Sequence, residues 1–240
     1  MSLRFDGVGD YARYQGAAGL GNTTSGTLLG WYRKEDSTND RDILTLSRPS
    51  HSAVLRIASA TQIKGGYSSN LAGFGTYNVS NKTYVGLCVQ MTDSGVTVHG
   101  YSGGTLTQIA TDSSFYSGTS IANVYFGDQP SWSEAALGCW RYGRFWSRIL
   151  SAAEIEAEFG MTPSSGTPAA STTGLRGSWP MANATDTTDW SGIGNTLTIS
   201  GAATSAEEPT IGSGASIALA DIRQSPARPL GLGSFGVKVI

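Results

Sequence analysis

Charge is scarce in this sequence. Asp, Glu, Lys and Arg make up only 14% of its 240 residues, against roughly 25% in an average soluble domain. The 16 basic and 18 acidic residues nearly cancel, which leaves a net charge of -2. Without an excess of positive charge the chain has no general attraction to nucleic acid or to anionic membranes, so we predict no nucleic-acid partner.

Cysteine is also rare, because the chain contains only Cys88 and Cys139. Two cysteines in a chain of this length do not make the disulfide framework of a small secreted protein. Both lie in stretches that predict strands, and they could pair only if those strands were neighbours with facing side chains. We predict two free, buried thiols, and a disulfide between them is the alternative.

Long apolar runs are missing as well. No stretch approaches the ~20 apolar residues of a membrane-spanning helix, so we expect no membrane insertion. The N-terminal stretch MSLRFDGVGDYARY lacks the apolar segment of a secretory signal peptide. We therefore expect the protein to be made in a cytoplasm and to reach another place only by assembly, by lysis or by a route not encoded here.

Helical patterning is confined to residues 151–160. Ser151, with Glu154 three residues later, forms the capping-box pattern of a helix N-terminus, and Gly160 is typical of a helix end. The aromatic stretch 139–146 immediately before it predicts a strand. One short helix in a chain of this length indicates an all-β protein.

Glycine, by contrast, is abundant, with 32 residues. Short alternating stretches recur at spacings of roughly 8–12 residues and are joined by Gly, Asn and Asp turns, which is typical of a β-sandwich or jelly roll. In the stretch 83–91, one alternating face is apolar and is predicted to face the core. Strands are predicted at 3–14 (with an internal turn), 27–33, 43–47, 54–58, 63–67, 83–91, 96–109 (two strands around a Gly103-Gly104 turn), 124–127, 139–146, 175–180 and 197–200. The predicted core tryptophans are Trp31, Trp140, Trp146 and Trp179.

Five segments together resemble laminin-G-like domains of the concanavalin A-like lectin and glucanase superfamily. They are residues 3–14, 27–36, 83–104, 143–159 and 177–202. The resemblance implies a jelly-roll sandwich of two antiparallel sheets with one short helix. We predict a sandwich domain at 1–212, with an internal linker at 161–173 rich in Pro, Ser and Thr, followed by an extended C-terminal arm at 213–240.

Catalysis is not expected. Glycosidases of this superfamily carry paired carboxylates along a strand, so that both reach one sugar bond. The dense acidic set here is Glu154, Glu156 and Glu158, which falls on the predicted helix and is expected to be a solvated helix face. We predict that the protein is not an enzyme, and a glycosidase with an unfamiliar site is the least favoured alternative.

Calcium is the ion that the resemblance implies, and it requires six to eight oxygen ligands. The best candidate ligands are Asp186, Asp189 and Asn195, around the loop DWSGIGN. The alternative for Asp189 is an Asx-turn, in which the carboxylate accepts hydrogen bonds from its own backbone. Because Arg141 stands where the family often has acidic residues, we predict no cofactor and leave structural calcium as the alternative. His51 and His99 have no partners at metal-ligand spacing.

Carbohydrate binding would use aromatic rings beside Asn, Asp or Arg side chains. Trp132 is the best single candidate. A second candidate patch contains Tyr67, Asn70, Tyr77 and Asn78. The alternative for Trp132, which we favour, is packing over the edge of a sheet.

The C-terminal segment 213–240 is apolar and rich in glycine. Its strand-like end, with Phe235, Val237 and Val239, could add to an open sheet edge of a partner. Sandwich modules of this family occur on phage capsids and tails. We therefore predict a non-enzymatic virion protein that decorates a capsid or tail, forms homo-oligomers and binds host or mucosal glycans; a carbohydrate-binding adhesin module is the alternative.

Overall fold

The computed structural model describes residues 2–6, 9–35, 41–67, 70–79, 83–114, 118–127, 137–160 and 172–205. These ranges contain fifteen strands and one helix. The elements are β1 (Ser2–Phe5), β2 (Tyr11–Gln15), β3 (Gly26–Lys34), β4 (Arg41–Ser47), β5 (Ser52–Ser59), β6 (Gln62–Tyr67), β7 (Asn70–Thr76), β8 (Tyr84–Thr92), β9 (Gly95–Ser102), β10 (Thr105–Asp112), β11 (Asn123–Gly127), β12 (Gly138–Trp146), α1 (Ala152–Gly160), β13 (Leu175–Trp179), β14 (Thr198–Ser200) and β15 (Ala203–Ser205).

The strands form two antiparallel sheets, which confirms the predicted sandwich. Sheet A has the order β10-β9-β8-β3-β12-β1-β15, and β13 pairs with the second half of β12. Sheet B has the order β14-β2-β11-β4-β5-β6-β7. Non-consecutive neighbours such as β8 and β3, or β2 and β11, produce the crossed connections of a jelly roll rather than a simple meander.

The main core lies between the two sheets. The apolar face of β8 contributes to it as predicted, through Val85, Leu87, Val89 and Met91. Trp140 and Trp179 are also fully buried there, whereas Trp31 and Trp146 belong to a second cluster on the other side of sheet A. All four tryptophans are therefore core residues, in two different layers.

Helix α1 covers this second cluster, which contains Ile155 and Phe159 from the helix. The predicted capping box is present: the Ser151 hydroxyl accepts from the Glu154 amide, and the Glu154 carboxylate accepts from the Ser151 amide at 2.8 Å. Phe159 lies against Trp31 with ring centroids 5.5 Å apart. Sheet A is consequently buried on both faces along its centre.

The predicted first strand at 3–14 is wrong in one respect. Its two halves are separate strands that lie in different sheets, because β1 pairs with β12 in sheet A and β2 pairs with β11 in sheet B. The turn between them therefore carries the chain from one layer to the other. The sequence analysis also missed β7 and β15.

The two cysteines are free and buried, as predicted. Strand β3 separates them, since Cys88 pairs in register with Leu29 and Cys139 pairs with Arg33.

Helix α1 has nine residues, and the described ranges contain no helix that is long and apolar enough to cross a membrane.

Candidate functional site

The face of sheet B that points away from the main core carries polar and aromatic side chains; we call it the outer face of sheet B. Its orientation follows from strand alternation, because Ala12, Val124, Phe126 and Leu44 point into the main core. Residues two apart on each strand share a face. The outer face therefore contains Tyr11 and Arg13 of β2, Asn123 and Tyr125 of β11, and Thr45 and Ser47 of β4.

Two tyrosines and one arginine form the centre of this face. Tyr11 and Tyr125 meet edge to face, with ring centroids 6.5 Å apart and an interplanar angle of 76°. The Arg13 guanidinium carbon lies 5.2 Å from the centroid of the Tyr11 ring, which is cation–π geometry. Arg13 is also the register partner of Tyr125. These contacts hold three planar groups together on adjacent strands.

Three polar atoms beside this cluster lack the partners that buried polar groups normally have. They are Arg13 Nε, Asn123 Oδ1 and Thr45 Oγ1, each buried and without a hydrogen bond to the described part of the chain. Thr45 is the register partner of Tyr125, and Asn123 occupies the position two residues before it. Because most buried polar atoms in proteins are paired, such a group on one face requires an explanation.

A charged row crosses the other half of the outer face. Asp42, Arg56, Lys64 and Phe74 are successive register partners on β4, β5, β6 and β7. Asp42 is fully buried and accepts two hydrogen bonds from Arg56, at 2.5 and 3.0 Å. The Lys64 ammonium lies 5.4 Å from the centroid of Phe74, whose ring is 60% exposed. An exposed aromatic ring therefore marks the β7 side of the same face.

This arrangement is suited to a flat, hydroxyl-rich ligand. Aromatic rings offer apolar area at low entropic cost, while the nearby guanidinium, amide and hydroxyl groups can bond ligand oxygens. The outer face of sheet B supplies both kinds of group on rigid strands. It is the candidate site.

The sequence-based glycan candidates lie elsewhere. Tyr67 is fully buried among the core residues, and its hydroxyl donates to Thr92 O at 2.7 Å, so its ring has no face for a sugar and this candidate was wrong. Tyr77 is half-buried and lies against Gly100; burial raises the pKa of its hydroxyl. Asn78 is exposed and lies outside the outer-face cluster, and Asn70 begins β7.

Two other predicted positions lie outside the described residues. Trp132 is in the stretch 128–136, which follows β11 directly after Gly127. Phe235, Val237 and Val239 are in the stretch after 205. The glycan-binding role of the first and the docking role of the others stay predictions.

The loop proposed for calcium is held by hydrogen bonds to one carboxylate. Asp189 accepts from the backbone amides of Ser178, Ser191, Gly194 and Asn195 at 2.8–3.1 Å, and from the Ser191 hydroxyl at 2.7 Å. Asp189 therefore forms the Asx-turn that was the alternative to a calcium site, and the same carboxylate also accepts a hydrogen bond from Ser178 of strand β13. Donors already surround both oxygens of this carboxylate.

The other two calcium candidates also have structural partners. Asn195 is buried, and its amide nitrogen donates to the carbonyls of Gly19 and Arg176 at 2.9 and 2.6 Å. Asp186 accepts from Ala182 N at 3.0 Å. No group of three or more His, Cys, Asp or Glu side chains in the described ranges is placed to hold a metal ion. Structural calcium stays an untested prediction.

The three helix acids do not form one solvated face. Glu158 is buried and pairs with Arg144 at 2.5 Å, so the expectation was wrong for this residue. Burial raises the pKa of the Glu158 carboxyl despite the opposing arginine. Glu154 bonds Arg148, and this hydrogen bond, with those from Ser151, lowers its pKa to about 2. Glu156 is exposed as expected.

Arg141 of strand β12 makes contacts within the protein. Its Nη1 donates to Pro180 O at 2.8 Å, and its guanidinium lies 4.3 Å from the ring centroid of Tyr142. Tyr142 has φ 55° at the irregularity where β12 shifts register against β3. The aromatic strand therefore contains a bulge, and Arg141 bonds the chain just after β13.

The candidate face was missed because its residues are dispersed in the sequence. The sequence nevertheless contained a signal. In YARYQ and NVYFG, polar or aromatic residues alternate along the strand with the core residues Ala12, Val124 and Phe126. Sequence alone does not show that β2 and β11 are neighbours. Only their pairing brings Arg13 beside Tyr125.

No protein-family model matches the sequence, and no curated protein matches it. Solved structures do match the fold. The heptameric SAP-like pentraxin from Limulus polyphemus is 13% identical with a TM-score of 0.54, covering 85% of this chain and 94% of the pentraxin chain. A Bacteroides ovatus protein whose name proposes carbohydrate binding is 12% identical with a TM-score of 0.57, covering 88% of this chain and 62% of its own.

Trypanosoma rangeli sialidase also matches, at 18% identity and a TM-score of 0.51, over 65% of this chain. The match spans only 26% of the sialidase chain, and that of the Bacteroides protein spans less than two thirds of its length. At these identities the likeness concerns the fold alone. The two-sheet architecture and these neighbours together show a jelly-roll sandwich.

Proposed function

We propose that this protein is a carbohydrate-binding, lectin-like module whose site is the outer face of sheet B. The observation that carries the proposal is the cluster around Tyr11 and Tyr125. There, buried polar atoms of Arg13, Asn123 and Thr45 have no partner in the described chain. A saccharide can cover the half-buried Tyr11 ring with its apolar C–H face and bond the Nη groups of the half-buried Arg13, while Tyr125, only 6% exposed, packs against Tyr11 from the protein side.

The structural comparisons support this proposal at the level of fold. The Bacteroides ovatus protein named for carbohydrate binding has the same sandwich. Because a fold hosts many functions, the site must carry the argument. The site's aromatic and planar polar groups are those that sugar recognition requires.

A glycan array with the purified protein tests the site. We expect wild type to bind a subset of glycans and Tyr11→Ala to weaken that binding about tenfold, because the substitution removes the ring on which Arg13 lies. Tyr84→Ala is a matched control, since Tyr84 is a half-buried tyrosine on sheet A with Arg33 lying 5.4 Å from its ring centroid. The control should retain binding.

Two results would contradict the proposal. One is the absence of any bound glycan, and the other is an equal loss of binding in Tyr11→Ala and Tyr84→Ala. Trp132→Ala belongs in the same array, because unchanged binding there would remove Trp132 from the site. Thermal unfolding of each variant distinguishes loss of a contact from loss of the fold.

We further propose that binding is not accompanied by catalysis. In support, Asp42, the acid of the charged row, is fully buried in its ion pair with Arg56. Such a carboxylate is poorly placed to protonate a glycosidic oxygen. Hydrolysis of any member of a polysaccharide panel by the purified protein would reverse this proposal in favour of a glycosidase.

A second proposed function is decoration of a virus capsid or tail, with other virion proteins and further copies of this chain as partners. It rests on the resemblance of the sequence segments and on one structural observation. The last described strand, β15, ends at Ser205 and is an edge strand of sheet A, with one edge that pairs with no other described strand. Deletion of residues 213–240 should abolish particle association, and unchanged incorporation would count against the docking role.

A further inference from the structure

We infer that the saccharide recognised by the outer face of sheet B carries an anionic group, a carboxylate or a sulfate, which binds the guanidinium of Arg13. This inference rests on the proposed function and narrows it to acidic glycans.

The protein pairs most of its described arginines with carboxylates. Six such pairs occur: Arg4–Asp6, Arg33–Glu35, Arg48–Asp93, Arg56–Asp42, Arg144–Glu158 and Arg148–Glu154. Arg13 has no carboxylate partner in the described ranges, and its Nε is buried without a hydrogen bond. In a chain so poor in charge, an arginine kept on an outer face without an acid requires a reason.

Arg41 and Arg176 also lack a carboxylate in those ranges, but Arg176 lies on β13 of sheet A, where its Nε donates to the Ser147 hydroxyl, and the position of Arg41 differs from that of Arg13. Arg41 begins β4 opposite Ile57, a core residue, so it does not share the outer face with Arg13. The acid on that face, Asp42, accepts both of its described bonds from Arg56. No described carboxylate is therefore available to Arg13 from the strands beside it.

Arg13 is half-buried, and because its Nε is buried, its two Nη groups are the donors that remain for a ligand. Its guanidinium lies over the Tyr11 ring at 5.2 Å, a contact that uses the charge and not the N–H groups. The planar guanidinium presents its donors in a fork that matches a carboxylate or sulfate with two parallel bonds. Tyr11 therefore positions Arg13 for an anion rather than neutralising it.

The neighbouring groups fit the uncharged part of such a ligand. Asn123 is half-buried at the edge of this cluster, whereas its Oδ1 and Thr45 Oγ1 are buried behind the surface that a ligand can reach. Tyr125 lies between these residues and Tyr11, with its ring edge to face against Tyr11. One anionic contact at Arg13, beside the half-buried Tyr11 ring and Asn123 side chain, describes a sugar that carries a carboxylate or sulfate, rather than a simple inorganic anion.

The test compares neutral, carboxylate-bearing and sulfated glycans on one array at low salt, followed by titration of the best ligand. We expect acidic glycans to bind. Their affinity should fall as NaCl is raised from 50 to 300 mM, by about as much as salt weakens a single ion pair, because the added ions screen the contact between Arg13 and the anionic group. Arg13→Gln should lower the affinity for the acidic ligand about 10- to 100-fold. Arg13→Lys keeps the positive charge but loses the forked pair of donors, so its affinity should lie between those of wild type and Arg13→Gln.

Arg4→Gln is the matched control, because it removes one exposed positive charge from sheet A and should leave binding unchanged. Binding restricted to neutral glycans would overturn the inference and leave the proposed function standing. The same holds for an acidic ligand that binds wild type and Arg13→Gln equally. No binding to any glycan overturns both. Because Arg13 makes no described hydrogen bond and its described contact is the cation–π pair with Tyr11, Arg13→Gln should unfold within a few degrees of wild type.

Discussion

At the residue scale, one acidic side chain, Glu158, is buried where the sequence suggested solvent. Glu158 lies on the side of α1 that faces sheet A, and Arg144 reaches it from β12. A helix of Glu residues at alternate positions looks solvated in sequence, because the pattern does not reveal which side meets a partner. Burial of such a pair costs desolvation, which is offset only by close geometry and additional bonds. Arg144 gains one such bond from Nε to the Ser178 hydroxyl at 3.2 Å.

His99 is the buried residue with the clearest pH consequence. Its Nε2 lies 3.1 Å from Gln90 Oε1, and Gln90 Nε2 already donates to Leu150 O and Thr27 Oγ1. Nε2 of His99 must therefore be the donor, which leaves the buried Nδ1 as an acceptor without a partner in the described chain. Burial lowers the pKa of His99, because a proton on Nδ1 would be desolvated.

We predict that wild type loses stability relative to His99→Gln as the pH falls below about 6.5, the pKa of unfolded histidine. Below that pH the unfolded chain binds a proton that the folded protein resists, so the free energy of unfolding falls by at most about 1.4 kcal/mol per pH unit. Urea unfolding of both proteins between pH 5 and pH 8 measures the difference. Parallel curves would show that His99 does not titrate differently on folding.

At the element scale, the loop between β13 and β14 depends on Asp189. Its carboxylate bonds to four backbone amides and one hydroxyl. The backbone amide of Asn195 is one of these four donors. The carbonyl of the same residue accepts a hydrogen bond from the indole nitrogen of the buried Trp179 at 2.6 Å. The local sequence predicted a turn. The structure adds that this turn is connected to strand β13 and to the core.

We predict that Asp189→Asn lowers the free energy of unfolding by about 1–3 kcal/mol, because an amide nitrogen cannot accept the bonds of a carboxylate oxygen. Calcium and EDTA should leave the unfolding temperature of wild type unchanged, since donors already occupy both oxygens of Asp189. Asp186→Asn, with two described donors to its carboxylate, is the milder comparison. A calcium-dependent rise in wild type that is absent in Asp189→Asn would instead establish a calcium site in this loop.

At the scale of the whole molecule, the two sheets approach closely along one side. Strand β7 of sheet B lies against the backbone of β10 in sheet A, because a methyl group added to Gly75 would overlap Ile109 O. Gly73 similarly faces Thr111 O. Glycines on the inner face of β7 thus allow the edge strands of both sheets to cover one another.

Gly75→Ala should consequently destabilise the fold by about 1–3 kcal/mol, because one strand must move away from the other. Thr76→Ala, at the exposed neighbouring position, should change the stability by less than about 0.5 kcal/mol. Urea unfolding of the two variants is the measurement. Equal stabilities would mean that the edge strands can separate without cost.

The sequence by itself determined the class of the fold and its capped helix. Alternation and capping act between residues close in the chain, so β8, β12 and α1 could be predicted from local patterns. The tertiary structure decided which strands are neighbours, and hence that β1 and β2 belong to different sheets. It also placed Tyr67 in the core and assembled Tyr11, Arg13 and Tyr125 on one face. Strand pairing between distant segments depends on the packing of the whole core, which no local pattern specifies.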